Sequence, residues 1–426
     1  MSDSSKVGNF LEDKFLPVAS AIGSERHLIA LRDGLVMTMP LLIIGAFSMI
    51  IAEFPIQAYL DFMAGVFGEN WNAFEGILMN ATYGIVALVA CFGVANSLAG
   101  GYKLDGVPAG ILSLAAFFVI NIIGDFDGEA AWPAGTFDAT LLFTALVVAL
   151  VVGEIYRILV QKNFTIKLPK SVPPAISRQF TALLPGAVIL ILFLIIRGLF
   201  VLTPWGSFPV FVTEVISTPL RGFGTSYIGT LIAVFGEHFL WSLGLHGSSI
   251  VISPIFEPMW IVNMSENLAG ARNIVTLTFY ECGVWIGGSG CTLPAVVYML
   301  LFAKSRLIKQ IGRLSIGPGI FNINEPVTFG LPVVLNPFLM VPYILTPAIV
   351  MTVQYIGTVI RVFPLQNYIV PWTTPFFISG ILTTQSFMGF VMHVILFAVA
   401  FVCWLPFIRI WDNRQYKLEQ QETQEA

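Results

Sequence analysis

The chain has 426 residues, of which 56% are hydrophobic and only 11% are charged, and its formal net charge is −4. Soluble domains contain about 25% charged residues, so this composition excludes an ordinary soluble protein and indicates a polytopic membrane protein. The slightly acidic balance, without a basic patch or an RNA-binding motif, argues against a nucleic-acid partner.

The N-terminus, residues 1–15, carries acidic residues and lacks a continuous apolar core, so it does not have the pattern of a cleaved signal peptide. The helical spacing of apolar residues between Val7 and Val18 is typical of an interfacial helix or of a short soluble helix. After it come apolar stretches close to or longer than the roughly 20 residues that cross a bilayer. These predicted spans are 28–52, 76–100, 107–124, 138–161, 179–203, 225–243, 274–303, 337–360 and 386–410.

The charges between these spans predict their orientation. The segments 53–75 and 125–138 contain acidic residues but no Lys or Arg, whereas 161–178 and 303–313 are basic and contain no acidic residue. Because loops rich in Lys and Arg remain in the cytoplasm, we expect the N-terminus to be cytoplasmic and the first five spans to alternate from there. Basic residues after the last span place the C-terminal tail in the cytoplasm as well.

The spans that follow the proline-rich segment 161–178 are interrupted by glycine and proline. The interruptions lie in 241–260, 287–294 and 317–332. Broken backbone at membrane depth persists only where it is buried in protein or lines an aqueous cavity, and it marks substrate sites in transporters. We therefore interpret 1–205 as a scaffold half, 206–412 as the substrate-binding half and 413–426 as a tail.

The segment "GIFNINEPVTFG" (319–330) places one carboxylate, Glu325, between amides and a proline in apolar surroundings. A charge at the centre of a span costs about 2.5–3.5 kcal/mol on insertion scales, so such a residue usually faces a cavity or a partner. Asn322 and Asn324 beside it suit the recognition of hydroxyl groups. The alternative is a carboxylate in an ordinary loop at the cytoplasmic surface.

Three further side chains are candidates for the same site. His246 lies among small residues in "LGLHGSS", although a lone histidine in an apolar stretch is often structural. Trp241 and Trp372 offer flat surfaces suited to a sugar ring, although tryptophan is also common at membrane interfaces. Trp372 lies in a proline-bounded turn, which favours the site. The sequence assigns no role to Glu237, His238 or Glu281.

Motifs for metal or nucleophilic chemistry are missing from the sequence. The four histidines are not at ligand spacing with any cysteine, and the four cysteines lie in apolar surroundings without CxxC spacing. No Walker loop, GxSxG or dinucleotide-binding fingerprint stands in a strand-to-helix context. We therefore expect no cofactor and no metal, and the energy for any transport must come from a gradient or from another polypeptide.

Four segments together resemble a known family. They are "GSERHLIALRDGLVMTMPLLIIGA" (23–46), "WSLGLHGSS" (241–249), "GGSGCTLP" (287–294) and "FNINEPVTFGLPVVLNP" (321–337). The chain resembles, from about residue 8 to residue 410, the membrane subunit EIIC of the phosphoenolpyruvate-dependent sugar phosphotransferase system, in its lactose/cellobiose/chitobiose branch. The resemblance implies an all-α fold of about ten transmembrane helices, two re-entrant hairpins and amphipathic helices. It also implies a homodimer formed through the N-terminal half and an elevator-like movement of the C-terminal half.

The resemblance also implies a site and a set of partners. The site carboxylate of the family corresponds to Glu325, its histidine to His246 and its sugar-stacking tryptophan to Trp372, with Trp241 as a neighbour of the pocket. Asn324, the amide next to Glu325, is expected to bind the substrate as well. The substrate is a β-linked disaccharide, and the partner EIIB transfers a phosphoryl group from a phosphocysteine to a sugar hydroxyl, normally at C6. We expect EIIB, and EIIA behind it, to be separate polypeptides, because the chain ends soon after its last span.

Glu325 would accept the hydroxyl proton during phosphoryl transfer, and His246 would hold a neighbouring hydroxyl or offset phosphate charge. The protein would then lie in the lipid of a bacterial cell membrane as a multi-pass permease. An ion-coupled secondary sugar transporter with Glu325 as its proton or cation site is the alternative, because intramembrane acids commonly relay protons. A third class, an enzyme acting on lipid-linked sugar, is disfavoured because the sequence lacks the clustered acids or the metal motif expected of it. The sequence does not distinguish among the possible disaccharides.

Overall fold

The computed structural model describes residues 16–52, 54, 56–166 and 174–425. Most of the helix predicted between Val7 and Val18 lies outside these ranges, as does the middle of the basic segment 161–178. Within them the chain is mostly helical, as predicted. The one sheet in these ranges is an antiparallel hairpin of β1 (Gly124–Phe126) and β2 (Glu129–Ala131), with Gly124 opposite Ala131.

Within the described ranges, nine helices precede residue 205, and the longest of them are the last four. In chain order they are α1 Leu16–Gly23, α2 Arg26–Val36, α3 Met39–Ala52, α4 Gln57–Phe67, α5 Phe74–Thr82, α6 Val86–Gly101, α7 Gly106–Ile120, α8 Leu142–Gln161 and α9 Pro174–Val201. Short 3₁₀ turns at Tyr83–Ile85, Ala134–Thr136 and Ala139–Leu141 connect some of them.

The helices after residue 205 are more uneven in length and more often interrupted. They are α10 Phe208–Phe211, α11 Thr218–Gly224, α12 Tyr227–Ser242, α13 Glu257–Leu268, α14 Leu277–Gly283, α15 Leu293–Leu301, α16 Arg306–Ile320, α17 Glu325–Gly330, α18 Pro337–Val359, α19 Phe376–Thr384 and α20 Phe387–Glu425. Two wider π-helical segments, Val212–Ser217 and Ser248–Phe256, join α10 to α11 and precede α13.

Six of the predicted spans are confirmed as helical segments long and apolar enough to cross a membrane, counted over the described residues. These segments are Arg26–Ala52, Phe74–Gly101, Ala134–Gln161, Phe180–Val201, Pro337–Val359 and Phe387–Glu422. The stretches 107–124 and 225–243 form the shorter helices α7 and α12. The stretch 274–303 is not one continuous helix, because the glycine-rich segment after residue 284 separates α14 from α15.

The core of the N-terminal half forms where α6 packs against α2, α7 and α8. Small residues make this approach close: a Cβ on Gly34 would lie 2.5 Å from the backbone nitrogen of Val94, and one on Gly93 would lie 2.9 Å from the Cα of Gly34. Without a hydrophobic driving force inside lipid, such close packing is a main source of helix association. The buried residues around it are almost all apolar, including Ala30 and Ala90.

The glycine-rich loop between α14 and α15 is fixed by backbone geometry. Gly287, Gly288 and Gly290 have φ values of 75°, 90° and 77°, in the left-handed region that glycine adopts without a steric cost. A Cβ on Gly290 would lie 2.3 Å from the ring of Tyr343, and the Gly290 carbonyl accepts a hydrogen bond of 2.9 Å from Trp404 Nε1. The loop therefore packs directly against α18 and α20.

The last helix continues well past the predicted span, to Glu425, and so includes most of the predicted tail. Two of its carboxylates bind the start of α16. Asp412 accepts hydrogen bonds of 2.9–3.0 Å from the backbone of Lys304 and Ser305, and Glu419 accepts from Ser305 Oγ and from the first backbone N–H groups of α16. Because those N–H groups have no partner within the helix, the contacts stabilise its N-terminus.

The most extensive contact between residues 1–205 and the later part of the chain is made by α2, which packs against the π-helical segment Ser248–Phe256. Gly23 lies against the side chain of Ile250, so the contact extends to the loop before α2. This junction brings the C-terminal end of α2 and the first turns of α3 beside the broken segments of the C-terminal half. The candidate site lies there.

Candidate substrate-binding cavity

A cavity of about 400 Å³ lies at the junction of the two halves. This volume is within the usual range of small-molecule sites, about 300–1,000 Å³. Its wall consists of Val36, Met39, Ile43, Glu237, Trp241, His246, Ser248, Ser249, Ser253, Glu257, Glu281, Trp285, Gly288, Ser289, Asn322, Asn324, Glu325, Pro371 and Trp372. The five residues predicted from the sequence as a site come from three separate parts of the chain, and all of them line one cavity: Trp241, His246, Asn324, Glu325 and Trp372.

Glu325 is the first residue of α17, a short helix with Pro326 in its first turn. Proline suits this position because it lacks the N–H group that would find no partner there. The carboxylate of Glu325 is exposed to the cavity and makes no hydrogen bond to another described residue. It is therefore free to accept a hydrogen bond from a ligand.

Asn322 holds the loop before α17 in place. It adopts a φ of 62°, a left-handed conformation that asparagine tolerates better than most residues. Its side-chain NH₂ group donates to the carbonyls of Trp372 (2.6 Å) and Thr374 (3.2 Å), and its Oδ1 accepts from the backbone N–H of Gly287 (3.0 Å). One buried side chain thus joins the glycine-rich loop, the α17 loop and the turn that carries Trp372.

Asn324 lines the cavity, but its amide is largely bound within the protein. Nδ2 donates to the Ser289 carbonyl and, at 3.2 Å, to Ser289 Oγ, which also lies 2.6 Å from the Tyr343 hydroxyl. These contacts hold Glu325, the next residue, against the glycine-rich loop. A direct contact between Asn324 and substrate stays a prediction.

His246 lies just after α12 with its ring in the cavity. The Ser249 backbone N–H donates to Nδ1 at 3.2 Å, and Ser249 Oγ lies 2.9 Å from the same nitrogen. Since Nδ1 accepts the backbone bond, the neutral ring carries its hydrogen on Nε2, where it can be donated to a ligand. The ring lies 4.4 Å from that of Trp241, and it is within electrostatic reach of Glu325 and Glu237.

The turn that carries His246 requires glycine at position 247. A Cβ there would lie 2.0 Å from the carbonyl oxygen of Glu237, so the turn could not approach α12 as closely with any other residue. This close approach places Ser248 Oγ against Glu237 Oε1 and 3.4 Å from Trp241 Nε1. The helix and the turn are thereby joined through polar contacts at the cavity wall.

Glu237, which sequence reasoning left unassigned, is fully buried and accepts three hydrogen bonds. The donors are the hydroxyls of Ser248 and Tyr280 and, at 3.3 Å, the indole N–H of Trp285. A buried carboxylate requires such donors to offset its desolvation. Glu237 therefore orders the side chains around it. Its neighbour His238 bonds the Val234 carbonyl at 2.7 Å and does not line the cavity.

Sequence reasoning missed several residues of the wall. No sequence motif distinguishes three of them, Trp285, Ser253 and Glu257, from ordinary residues of a span. Glu281 was noticed only as an acidic residue with apolar neighbours, and no role was assigned to it. The N-terminal half also contributes an apolar strip of Val36, Met39 and Ile43. The helical spacing of that strip, at i, i+3 and i+7, was a detectable signal, but it indicates any buried helix face.

Comparison with known proteins identifies the family. The family model for "Phosphotransferase system, EIIC" matches residues 32–347. The chain is 42% identical to the lichenan permease IIC component of Bacillus subtilis (strain 168), with 97% of this chain and 95% of that protein covered. It is 41% identical to the cellobiose-specific EIIC component of Geobacillus stearothermophilus, with 96% and 95% covered.

A solved structure shows the same fold. The transporter ChbC, the IIC component from the N,N'-diacetylchitobiose-specific phosphotransferase system, superimposes with a TM-score of 0.91 at 42% identity, over 96% of this chain and 99% of that one. The broken helices and the continuous spans thus follow one architecture from end to end. The chain belongs to the EIIC family of the sugar phosphotransferase system, as a cell-membrane permease component of the cellobiose, lactose and chitobiose type.

Proposed function

We propose that this permease imports a β-linked disaccharide of the cellobiose class and presents one of its hydroxyls, normally that at C6, to phosphorylated EIIB. The observation that carries the proposal is the convergence of a free carboxylate, an imidazole and two tryptophans on one cavity. Sugar sites combine flat apolar surfaces with a few polar groups placed for hydroxyls. The substrates named for the similar permeases, cellobiose and chitobiose among them, have that chemistry.

Glu325 is the group that would take the hydroxyl proton. A sugar hydroxyl is a weak nucleophile, and a positioned carboxylate that accepts its proton contributes about 10²–10⁴-fold to the rate. The carboxylate of Glu325 is suited to this role because it makes no hydrogen bond to another described residue. Most of the remaining catalysis of phosphoryl transfer comes from positioning and from charge stabilisation.

His246 and the tryptophans would hold the sugar. The Nε2–H of His246 is the free donor on its ring, because Nδ1 is bound to Ser249. In the charged form the ring would also offset negative charge on the arriving phosphate. Trp372, half exposed at the cavity wall, offers its face to one sugar ring, while Trp241 is buried behind His246.

Transport itself would follow an elevator-like movement of residues 206–412 against a scaffold of residues 1–205, with the scaffold forming a homodimer. The polar side chains of the cavity belong to the moving half, and the scaffold contributes only the apolar strip of Val36, Met39 and Ile43. An apolar surface makes no directional bonds, so the substrate can move past it without breaking hydrogen bonds. The partners would be EIIB, with its phosphocysteine, and EIIA behind it.

The test is a reconstitution in proteoliposomes. With cellobiose on one face of the membrane and phosphorylated EIIB on the other, sugar phosphate should form. It should not form without EIIB. An imposed proton or sodium gradient should not replace EIIB. Uptake of unmodified sugar that follows such a gradient would instead support an ion-coupled transporter with Glu325 as the ion site.

The orientation is tested separately. Single cysteines at Asn72 and Lys167, introduced into a cysteine-free background, should react with an impermeant thiol reagent from opposite faces of the membrane, because they lie in an acidic and a basic segment. Labelling of both from the same face would contradict the predicted cytoplasmic termini. Cysteine cross-links between protomers should form within residues 1–205, and cross-links confined to 225–410 would assign the dimer to the other half.

A further inference from the structure

The titratable side chains of the cavity wall form an exposed group, in which His246 interacts with Glu325, and a buried group, in which Glu281 interacts with Glu257; we call these groups the exposed end and the buried end of the cavity. Glu325 and His246 lie at the exposed end, whereas Glu257 and Glu281 are only 4% and 7% exposed. All four line the same cavity. The phosphorylation chemistry proposed above uses the exposed end and assigns no role to the buried one.

Glu281 is the carboxyl group at the buried end whose hydrogen bonding is incomplete. Within the described residues, its Oε2 is buried and has no hydrogen-bond partner. Glu257 is bound by the hydroxyl of Ser253, and both oxygens of Glu237 accept from Ser248, Tyr280 or Trp285. A buried acceptor without a donor is rare, because it loses its hydration without replacement. A ligand that brings a donor into the cavity would satisfy it.

The surroundings of Glu281 select the type of donor. Glu257 and Glu237 interact with it electrostatically, so the buried end presents several carboxyl oxygens, and the wall contains no Lys or Arg. Over the described part of the chain, no group of three His, Cys, Asp or Glu side chains has an arrangement that could hold a metal ion. Neutral hydroxyl donors on a sugar ring match this wall. Trp285, whose indole N–H is fixed on Glu237 at 3.3 Å, adds an apolar surface beside them.

We propose that Glu281 determines specificity by accepting a hydrogen bond from a hydroxyl of the sugar ring that is not phosphorylated. This inference rests on the proposed function, since it takes the phosphorylated ring to lie at Glu325 and His246. The two rings of a disaccharide would then lie along the cavity, one at each end. Sugars that differ only in the hydroxyls of the second ring would be distinguished at Glu281.

The first experiment measures equilibrium binding and phosphorylation for Glu281→Gln. The sugar is the one bound most tightly by the wild type from a panel of cellobiose, lactose, mannobiose and diacetylchitobiose. We expect a dissociation constant about tenfold higher, because one buried hydrogen bond to the sugar is weakened, while kcat with saturating sugar and phosphorylated EIIB stays within about threefold. Glu257→Gln, whose carboxyl already has a donor in Ser253, is the matched control and should change affinity less.

The second experiment identifies the hydroxyl. Deoxy analogues of the chosen disaccharide, each lacking one hydroxyl of the ring that is not phosphorylated, are compared on the wild type and on Glu281→Gln. One analogue should lose about tenfold in affinity on the wild type and much less on the variant, as expected for two partners of one hydrogen bond. A change that merely loosens the fold would not depend on which hydroxyl is absent.

The outcomes separate the two proposals. A wild type that binds none of the panel refutes the proposed function and this inference with it. A wild type that binds and phosphorylates a disaccharide, while Glu281→Gln binds it equally well, refutes the inference alone. Equal losses for Glu281→Gln and Glu257→Gln, or analogue losses that are identical on both proteins, would also overturn the assignment to Glu281.

Discussion

The helix bundle around α6 and the broken segments around the cavity are held together in different ways. In the bundle, continuous helices satisfy their own backbone groups and associate through small residues such as Gly34 and Gly93. Around the cavity, interrupted helices leave backbone groups that side chains must satisfy, as Asn322 does for Gly287, Trp372 and Thr374. The bundle therefore depends on shape, whereas the site depends on individual polar residues. Substitutions should have correspondingly different effects in the two regions.

The largest effect is expected at Glu325. Glu325→Gln keeps the shape of the side chain but removes the proton acceptor, so sugar phosphate formation with saturating phosphorylated EIIB should fall by about 10²–10⁴-fold. Equilibrium sugar binding should weaken only modestly, because the missing interaction grows towards the transition state. Glu422→Gln, an exposed carboxylate on the last helix, is the control. If sugar is phosphorylated with Glu325→Gln at nearly the wild-type rate, the proposed catalytic role of Glu325 is wrong.

His246→Ala tests the holding role at the same end of the cavity. If the ring chiefly binds a hydroxyl through Nε2–H, the substitution should weaken binding and lower turnover together, by about tenfold in affinity. The same two assays measure it. A loss confined to turnover would instead assign His246 to charge stabilisation during phosphoryl transfer.

Asn322→Ala should destabilise the broken region. The substitution removes three hydrogen bonds and places alanine at a φ of 62°. Each buried group left without a partner costs about 1–3 kcal/mol, so the free energy of unfolding should fall by several kcal/mol. Thermal inactivation of detergent-solubilised protein, followed by sugar binding, measures it. Asn322→Gly, which tolerates the backbone conformation, isolates the hydrogen bonds and should be the less damaging change.

Gly34→Ala tests the bundle. The new Cβ would lie 2.5 Å from the Val94 backbone, so the helices must separate, at a cost of about 1–3 kcal/mol in unfolding free energy. Sugar affinity of the folded protein should change little, because the residue is not part of the cavity wall. Gly100→Ala has no atom within 4 Å of its Cβ and should be neutral or slightly stabilising. Equal damage from both would show that packing shape does not limit the bundle.

Glu419→Gln is expected to have the smallest effect. The carboxylate accepts from Ser305 Oγ and from two backbone N–H groups at the start of α16, and a capping contact of this kind is worth about 0.5–2 kcal/mol. The amide keeps one acceptor oxygen, so the loss should lie at the low end of that range. A small drop in thermal stability with unchanged sugar binding is the expected result, and a loss of binding would link α16 to the site.

The sequence by itself determined the membrane class, most of the long spans and five residues that line the candidate cavity. Apolar stretches of sufficient length identify continuous helices because such helices need nothing but their own backbone bonds in lipid. Glu325 and His246 were predictable because an ionisable residue within a span raises the free energy of membrane insertion, so such a residue usually faces a cavity or a partner.

Only the tertiary structure decided which groups meet and which are already bound. Asn324 and Glu325 are adjacent in sequence, yet the first is bound to Ser289 and the second faces the cavity freely. Glu281 has an unpartnered oxygen and interacts with carboxyl groups on two other helices, Glu237 on α12 and Glu257 on α13, so no local pattern contains its surroundings. The packing of distant segments sets the hydrogen-bond partners of each side chain. The sequence could therefore predict candidate residues, but only the tertiary structure shows which of them are already bound.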